Sequence, residues 1–242
     1  MNREYHRWHS PHLGRHMELL VFGHSGAKVL IFPTRNGRFF EYENLGLVKA
    51  LAHKIQAGHI QLYCVDSIDN ETFYCRWRHP SERIQRYMHF EEYILTEVLP
   101  FMVKKNPNPC TIIHGCSLGA FHAANMAFRH PKLFHKLCAF SGRYDLTMSV
   151  DDFHDLFDGY YDENIYFNTP THFLPQLSNP SQLKHLRRMD MVFTIGKEDP
   201  FLGNNHHLSQ ILSSKDIRHS MFEWDGRAHR GCYWRKMVSL YI

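Results

Sequence analysis

Short, almost wholly apolar runs alternate along this chain with segments in which apolar residues recur at helical spacing. Runs of this length and composition predict β-strands that are buried on both faces, as in a parallel sheet covered by helices. The first two runs, "HMELLVFG" and "AKVLIFPT", are separated only by a His-Ser-Gly turn, which predicts an antiparallel hairpin at one edge. The sequence therefore predicts an α/β fold with a doubly wound, mostly parallel central sheet and helices on both faces.

The size and composition of the chain predict a single domain over residues 1–242 and disfavour several classes of protein. A chain of 242 residues buries enough apolar surface to fold without disulfides. Its six dispersed cysteines include no CxxC pair, which favours reduced thiols and a cytoplasmic location. The formal net charge is +4, but the Lys and Arg residues are scattered, so we expect no nucleic-acid partner. No run approaches about 18 apolar residues, so we expect no membrane partner. Whether the protein forms a homo-oligomer stays open.

The most informative motif is Gly115-Cys116-Ser117-Leu118-Gly119, which has the spacing G-x-S-x-G. It follows the apolar run "TIIHG" and precedes the helical pattern "LGAFHAANMAFRHP". In a strand–turn–helix of this kind the glycines allow a sharp turn, and the serine hydroxyl is raised above the carboxyl edge of the sheet. The motif predicts that Ser117 is a catalytic nucleophile and that the amide of Leu118 stabilises an oxyanion. The alternative is a packing turn in which Ser117 only caps the helix.

A nucleophilic serine needs a base and an orienting carboxylate, and two strand ends supply candidates. Asp199 follows the run "DMVFTIG", and His229 follows "SMFEW" in the last loop before a helix. Both positions lie where carboxyl ends of parallel strands are expected, and the order Ser, Asp, His is one that such folds use. We therefore predict a triad of Ser117, Asp199 and His229. Rivals remain open for both roles: His206, His207 and His219 for the base, and Asp145, Glu198 and Asp225 for the acid.

The loop after "AKVLIFP" is the expected source of a second oxyanion donor. It reads Thr34-Arg35-Asn36-Gly37-Arg38, and Gly37 suits a turn with positive φ. We predict that the backbone amide of Arg35 is this donor. An ordinary Asn-Gly turn without a catalytic role is the alternative.

Residues 143–179 combine acidic and aromatic side chains without a clear period. Such a segment between a strand and a helix predicts a small lid or pocket wall over the site. In that case Tyr160, Tyr161 and Phe167 would be substrate-binding residues. A short helix followed by a surface loop is the alternative.

Several short stretches carry a resemblance to a known family: "VLIFPT", "VDS", "GCSLGAFHA", "FSGRYD", "GKEDP", and a late His before an aromatic-rich helix. From Met17 to Ile242 the chain resembles esterases of the α/β-hydrolase superfamily, in the branch of esterase D, polyhydroxyalkanoate depolymerases and mycolyltransferases. The resemblance implies hydrolysis of carboxylic esters through an acyl-serine, with Ser117, Asp199 and His229 as the triad. The chain departs from the pattern in having no His-Gly-Gly motif, which leaves the second oxyanion donor open.

These observations predict a serine esterase that acts on small-molecule esters with short or aromatic acyl groups. The same triad would serve an acyltransferase or a peptidase, because water access and pocket shape decide between these reactions. A non-catalytic binding module on a hydrolase scaffold is a further alternative, which an intact Ser, Asp and His disfavour. No nucleotide loop, haem motif or HExxH motif is present, so we predict no cofactor and no metal.

Overall fold

Eight strands form one sheet in the computed structural model, which describes residues 1–242. The strands are β1 (Arg3–Ser10), β2 (Arg15–Phe22), β3 (Ala27–Phe32), β4 (Ile60–Val65), β5 (Thr111–Cys116), β6 (Lys136–Phe140), β7 (Asp190–Gly196) and β8 (Ser220–Trp224). Their order across the sheet is β1-β2-β4-β3-β5-β6-β7-β8. β3 to β8 pair in parallel, whereas β2 pairs antiparallel with both of its neighbours. The predicted mostly parallel sheet is confirmed.

The predicted hairpin between the runs of β2 and β3 is wrong. β4 lies between these two strands and pairs antiparallel with β2 and parallel with β3. The hairpin partner of β2 is instead β1, in a register that runs from Arg3 opposite Phe22 to Ser10 opposite Arg15. β1 is an edge strand with alternate residues exposed, so it has no apolar run that would mark it as a strand.

Helices cover both faces of the sheet. They are α1 (Glu41–Asn44), α2 (Leu47–Ala50), α3 (Ala52–Gln56), α4 (Pro80–Tyr93), α5 (Leu99–Lys105), α6 (Leu118–Arg129), α7 (Glu163–Phe167), α8 (Pro170–Phe173), α9 (Pro180–Leu186), α10 (Leu202–Ser214) and α11 (Gly231–Tyr241). A π-helical segment, Ile94–Val98, joins α4 to α5. It lies just before Pro100, which lacks the N–H that a regular α-helix would use there. No helix combines the length and the apolar composition that crossing a membrane requires.

Alternate residues of the strands face two separate hydrophobic cores. In β3, Leu30 and Phe32 belong to the larger core, whereas Val29 and Ile31 belong to the smaller one. Side chains of α4, α6 and α10 complete the larger core, and those of α1, α2, α3 and α11 complete the smaller one. Alternation between two buried faces is what a sheet covered on both sides requires, so the doubly wound arrangement is confirmed.

Residues 143–179 pack onto the larger core through buried apolar side chains. Leu146, Leu156, Phe157 and Ile165 are among them. The segment contains α7, α8 and a single β-bridge between Val150 and Phe153. It begins directly beyond β6, so its first residues lie at the carboxyl edge of the sheet.

Candidate active site

A cavity of about 320 Å³ opens at the carboxyl edge of the sheet. Loops that follow six parallel strands line it, with Arg35 after β3, Tyr74 after β4, Ser117 after β5, Arg143 after β6, Phe201 after β7 and His229 after β8. Residues far apart in sequence meet here because the carboxyl ends of parallel strands share one edge. A volume near 300 Å³ is at the lower end of the range for small-molecule sites.

Ser117 occupies the turn between β5 and α6. Its φ of 57° and ψ of −123° lie in a region that residues with a Cβ rarely adopt. The turn is held in place by a hydrogen bond from the Ser117 amide to the carbonyl of Phe140 in the neighbouring strand, at 2.8 Å. A strained backbone that persists in this way is typical of functional sites. Here it turns the hydroxyl into the cavity.

The two glycines of the motif permit close packing around this turn. A Cβ on Gly119 would lie 2.5 Å from the carbonyl oxygens of both Phe32 and Pro33, and a Cβ on Gly115 would collide with the backbone of Gly119. Any larger side chain at either position would push α6 away from β3 and β5. The glycines therefore set the distance between the serine and the loop after β3.

The structure brings Ser117, Asp199 and His229 together in one hydrogen-bonded chain. His229 Nδ1 lies 2.7 Å from Asp199 Oδ2, and His229 Nε2 lies 2.9 Å from Ser117 Oγ. The Asp199 side chain is fully buried, and its other oxygen accepts a hydrogen bond from the amide of Phe201 at 3.0 Å. The imidazole remains partly open to the cavity. This order of carboxylate, imidazole and hydroxyl allows the imidazole to take a proton from the serine.

The rival candidates lie outside this cavity, and four of the six have other partners. His219 binds Ser209 at 2.7 Å, and His206 binds Glu223 at 2.8 Å. Among the acids, Asp225 pairs with Lys197 and Asp145 pairs with His172, while His207 and Glu198 are exposed on the surface.

The loop after β3 places Arg35 beside Leu118 in the wall of the cavity. The amide of Thr34 donates to Glu41 Oε2 at 2.7 Å, and the amide of Asn36 donates to Asp69 Oδ2 at 2.8 Å. The amide of Arg35, between them, has no acceptor within the protein. The amide of Leu118 is likewise free of an intrahelical partner, because it opens α6.

The glycine of this loop has a different role from the one predicted. Asn36, with φ of 55°, is the residue with positive φ, and Gly37 is not. Asparagine tolerates this conformation better than most residues. Gly37 is needed for space, because a Cβ there would lie 2.6 Å from Glu41 Oε2, the oxygen that holds the Thr34 amide.

The three aromatic residues predicted to bind substrate do not reach the cavity, which corrects that prediction. Tyr160 packs against His79, with ring centroids 4.8 Å apart, and Tyr161 is exposed and bonded to His172. Phe167, at the end of α7, is 54% exposed and lines a separate surface groove. The part of the segment that does reach the cavity is its beginning, closest to the end of β6.

Several cavity residues were missed in the sequence. From the loop after β6 they are Ser141, Arg143, Leu146, Phe153 and Leu156, and from other elements Tyr74 and Trp234. The signal that would have found the first of them is distance along the chain, since residues just beyond a strand end stay at the edge of the sheet. Tyr74 also lies in a loop after a strand, β4, but well beyond the strand's end, and Trp234 lies in α11, so distance from a strand end indicates neither of them.

Ser141 connects two parts of the site. It follows β6 with φ of 53°, donates to the carbonyl of Ala228 at 3.1 Å, and accepts from Trp234 Nε1 at 3.1 Å. Ala228 directly precedes His229, so this buried serine holds the loop that carries the imidazole. No group of three or more His, Cys, Asp or Glu side chains is placed to bind a metal ion.

Comparisons with known proteins agree with this architecture. The family model described as "Putative esterase" matches residues 38–233. No curated protein matches the sequence. Among solved structures, a ferulic acid esterase is similar with a TM-score of 0.78 at 15% identity, over 98% of this chain and 94% of that one.

Two further solved structures share the fold. An S-formylglutathione hydrolase from Agrobacterium tumefaciens has a TM-score of 0.71 at 17% identity, over 98% of this chain and 91% of that one. The fluorophosphonate-binding serine hydrolase FphF from Staphylococcus aureus has a TM-score of 0.70 at 12% identity, over 98% and 95%. The family match covers most of the chain, and the sheet has the α/β-hydrolase arrangement. The chain therefore belongs to this esterase family, has the α/β-hydrolase fold, and is a carboxylic ester hydrolase.

Proposed function

We propose that the protein is a serine esterase in which Ser117 attacks the ester carbonyl, His229 is the general base, and Asp199 orients the imidazole. The observation that carries this proposal is the unbroken chain of hydrogen bonds from Asp199 Oδ2 through both ring nitrogens of His229 to Ser117 Oγ. A serine hydroxyl is a weak nucleophile until a base takes its proton, and this geometry supplies that base.

The neighbouring cysteine is a poor alternative nucleophile. Cys116 is fully buried, and burial raises the pKa of its thiol well above the ordinary value. A thiol reacts as the thiolate, so this side chain stays unreactive.

The six cysteines are all unpaired, which supports the cytoplasmic location that we propose.

In the first half of the reaction His229 Nε2 takes the proton from Ser117 Oγ as the oxygen attacks the carbonyl carbon. The tetrahedral intermediate collapses when His229 gives this proton to the departing alcohol, which leaves an acyl-serine. In the second half, a water gives a proton to His229 and attacks the acyl carbon. The acid is released as the proton returns to Ser117.

The amides of Leu118 and Arg35 form the oxyanion hole in this proposal. Both residues line the cavity, and both amides lack an acceptor within the protein, whereas the amides of Thr34 and Asn36 are already engaged. Amides that are fixed before the reaction stabilise the oxyanion without reorganising. The helix N-terminus at Leu118 adds a favourable dipole.

The cavity favours esters with short or aromatic acyl groups. Its volume of about 320 Å³ admits a small molecule, and Tyr74, Phe153, Phe201 and Trp234 provide flat apolar walls. Aromatic side chains of this kind pack well against planar ligands.

The proposal is tested with p-nitrophenyl acetate and butyrate, wild-type protein and Ser117→Ala. We expect a burst of p-nitrophenol equal to the concentration of active sites, followed by steady turnover, and a loss of at least about 10⁴-fold in kcat for the variant. A fluorophosphonate should add its mass to the peptide that contains Ser117. Ser213→Ala, an exposed serine at the end of α10, is the control and should keep full activity. Equal rates for Ser117→Ala and wild type would refute the proposal.

A further inference from the structure

Three arginines line the cavity beside Ser117, and no acidic side chain does. They are Arg35, Arg143 and Arg227, and none of them forms an ion pair. Seven arginines elsewhere do form ion pairs: Arg3, Arg15, Arg38, Arg83, Arg86, Arg129 and Arg187. The cavity therefore contains positive charge that the protein does not neutralise by direct contact.

Arg143 is the most informative of the three because it is only 7% exposed. Its Nε and Nη2 donate to backbone carbonyls, among them those of Asp145 at 3.0 Å and His154 at 2.9 Å, while Nη1 has no partner in the protein. Its guanidinium also lies over the ring of Phe201, 5.3 Å from the centroid. The carbonyls fix the group in place without cancelling its charge.

The acidic groups nearest to Arg143 are committed elsewhere. The carboxylate of Asp145 binds His172 and Thr147. That of Asp155 accepts from the amides of Phe157 and Gly159, both at 2.7 Å. Burial lowers the pKa of Arg143, which reflects the cost of keeping this charge away from water. A buried cation of this kind is stabilised when an anion reaches it.

Arg35 and Arg227 extend the positive charge to the more open part of the cavity. Both are exposed. The guanidinium of Arg35 lies over the ring of Tyr74, 5.4 Å from its centroid, which restricts where it can move. Arg227 is two residues before His229 and has no hydrogen-bond partner for its side chain.

We propose that the substrates of this esterase are anionic esters, in which the acyl or the alcohol part carries a carboxylate that binds Arg143 with help from Arg35 and Arg227. The proposal rests on the serine esterase function proposed above. The aromatic walls of the cavity would hold the apolar part of such a molecule, and a guanidinium fork matches the geometry of a carboxylate.

Two matched pairs of esters test this proposal and distinguish the position of the anion. For the alcohol part, 3-acetoxybenzoate is compared with its neutral methyl ester, cleaved at the acetyl group. For the acyl part, monomethyl glutarate is compared with methyl 5-methylhexanoate, in which an isopropyl group replaces the carboxylate. We expect kcat/KM to favour the anionic member of at least one pair by about tenfold or more, the size typical of a hydrogen bond to a charged group. The preference should fall as KCl is raised.

Variants then locate the binding group. Arg227→Gln removes an exposed charge without disturbing the core, and it should reduce the ratio of anionic to neutral kcat/KM about threefold or more. Arg143→Lys keeps a charge but loses the fork, and it should reduce the ratio further. Arg218→Gln, at the opposite edge of the sheet before β8, is the control and should leave the ratio unchanged.

The outcomes separate the two proposals. If neutral esters are cleaved by a Ser117-dependent reaction but neither anionic member is preferred, the anionic substrate is refuted while the esterase survives. If the preference exists but neither Arg143→Lys nor Arg227→Gln reduces it, the assignment to this cavity is refuted. If no ester is cleaved, the serine esterase proposal itself fails.

Discussion

Two serines occupy equivalent places at the ends of neighbouring strands. Ser117 follows β5 and Ser141 follows β6, and both have a φ between 50° and 60° that is unusual for a residue with a side chain. The hydroxyl of Ser117 lies 2.9 Å from the imidazole of His229 and is open to the cavity. Ser141 is 1% exposed, and its hydroxyl is held between the carbonyl of Ala228 and the indole of Trp234.

The comparison shows that a strained turn at a strand end does not by itself make a nucleophile. At Ser117 the hydroxyl meets an imidazole, and we propose that the turn there supports chemistry. At Ser141 the hydroxyl both donates and accepts a buried hydrogen bond, so the same turn supports the fold. The second serine nevertheless serves the first, because the loop that it fixes through Ala228 carries His229.

The largest expected effect is the difference in kcat between the alanine variants of the two serines. Ser117→Ala removes the proposed nucleophile and should lower kcat by at least about 10⁴-fold with little change in stability. Ser141→Ala removes two buried hydrogen bonds, so it should lower the free energy of unfolding by about 1–3 kcal/mol and kcat by about tenfold or less. Ester hydrolysis and urea unfolding of both variants measure this. A loss of kcat in Ser141→Ala as large as that in Ser117→Ala would contradict the distinction between a catalytic and a structural serine.

The next largest effect on kcat is expected at Asp199, the carboxylate of the hydrogen-bonded chain. Asp199→Asn keeps the shape of the side chain but lets the imidazole adopt the wrong tautomer, and it should lower kcat by about 10⁴-fold with KM nearly unchanged. Asp225→Asn, which removes an exposed acid from the loop before His229, is the matched control and should keep wild-type rates. Activity retained in Asp199→Asn would show that the base is oriented by another group.

A buried histidine in β5, the strand that precedes Ser117, should make the free energy of unfolding depend on pH. His114 is fully buried in β5, its Nδ1 lies 2.7 Å from the carbonyl of Cys138, and burial lowers its pKa from 6.5 to about 4. Between these values the unfolded chain binds a proton here and the folded chain does not. The free energy of unfolding should therefore fall as the pH falls from 6.5 to 4, by up to about 3 kcal/mol from this residue.

Urea unfolding at several pH values measures this dependence. His114→Gln should be less steeply dependent on pH over the same interval, because it has no group to titrate. A variant that loses stability with the same slope as the wild type would assign the acid sensitivity to other residues.

Features that depend on local pattern were predictable from the sequence, and features that depend on how distant segments pack were not. Ser117 was predictable because the turn that it needs is encoded by its immediate neighbours Gly115 and Gly119. Asp199 and His229 were predicted from one rule, that loops after parallel strands share an edge, and the structure places both there. Their catalytic roles stay predictions.

The failures have a common physical origin. The pairing of β2 with β4 joins segments far apart in the sequence, and no local signal showed that β3, the next strand along the chain, does not pair with β2. Within residues 143–179 no periodicity indicates which side chains turn inward, so Tyr160, Tyr161 and Phe167 were chosen by type alone. Arg143 reaches the cavity because backbone carbonyls of its own segment fold around it, and that arrangement exists only in the folded chain.

The smallest effect concerns a carboxylate that links the two sides of the proposed oxyanion hole. Asp69 is buried; one of its oxygens accepts from the amide of Asn36 at 2.8 Å, and the other lies 3.1 Å from His122 Nε2 in α6. It thus connects the loop that carries Arg35 to the helix that begins after Ser117. Asp69→Asn weakens this connection and should lower kcat by about tenfold with little change in KM, less than the loss of a whole oxyanion donor, because the Arg35 amide would be displaced and not removed.

A matched variant distinguishes this positioning role of Asp69 from a general loss of stability. Asp162→Ala removes the N-cap carboxylate that accepts from the amide of Ile165 at the start of α7, outside the lining of the cavity. It should lower the unfolding free energy by up to about 1 kcal/mol and leave kcat unchanged. If Asp69→Asn loses activity only in proportion to the unfolded fraction, as measured by urea unfolding, the carboxylate serves the fold alone. A fall in kcat while the protein remains fully folded would place Asp69, like Ser141, among the residues that act on the reaction through the backbone that they hold.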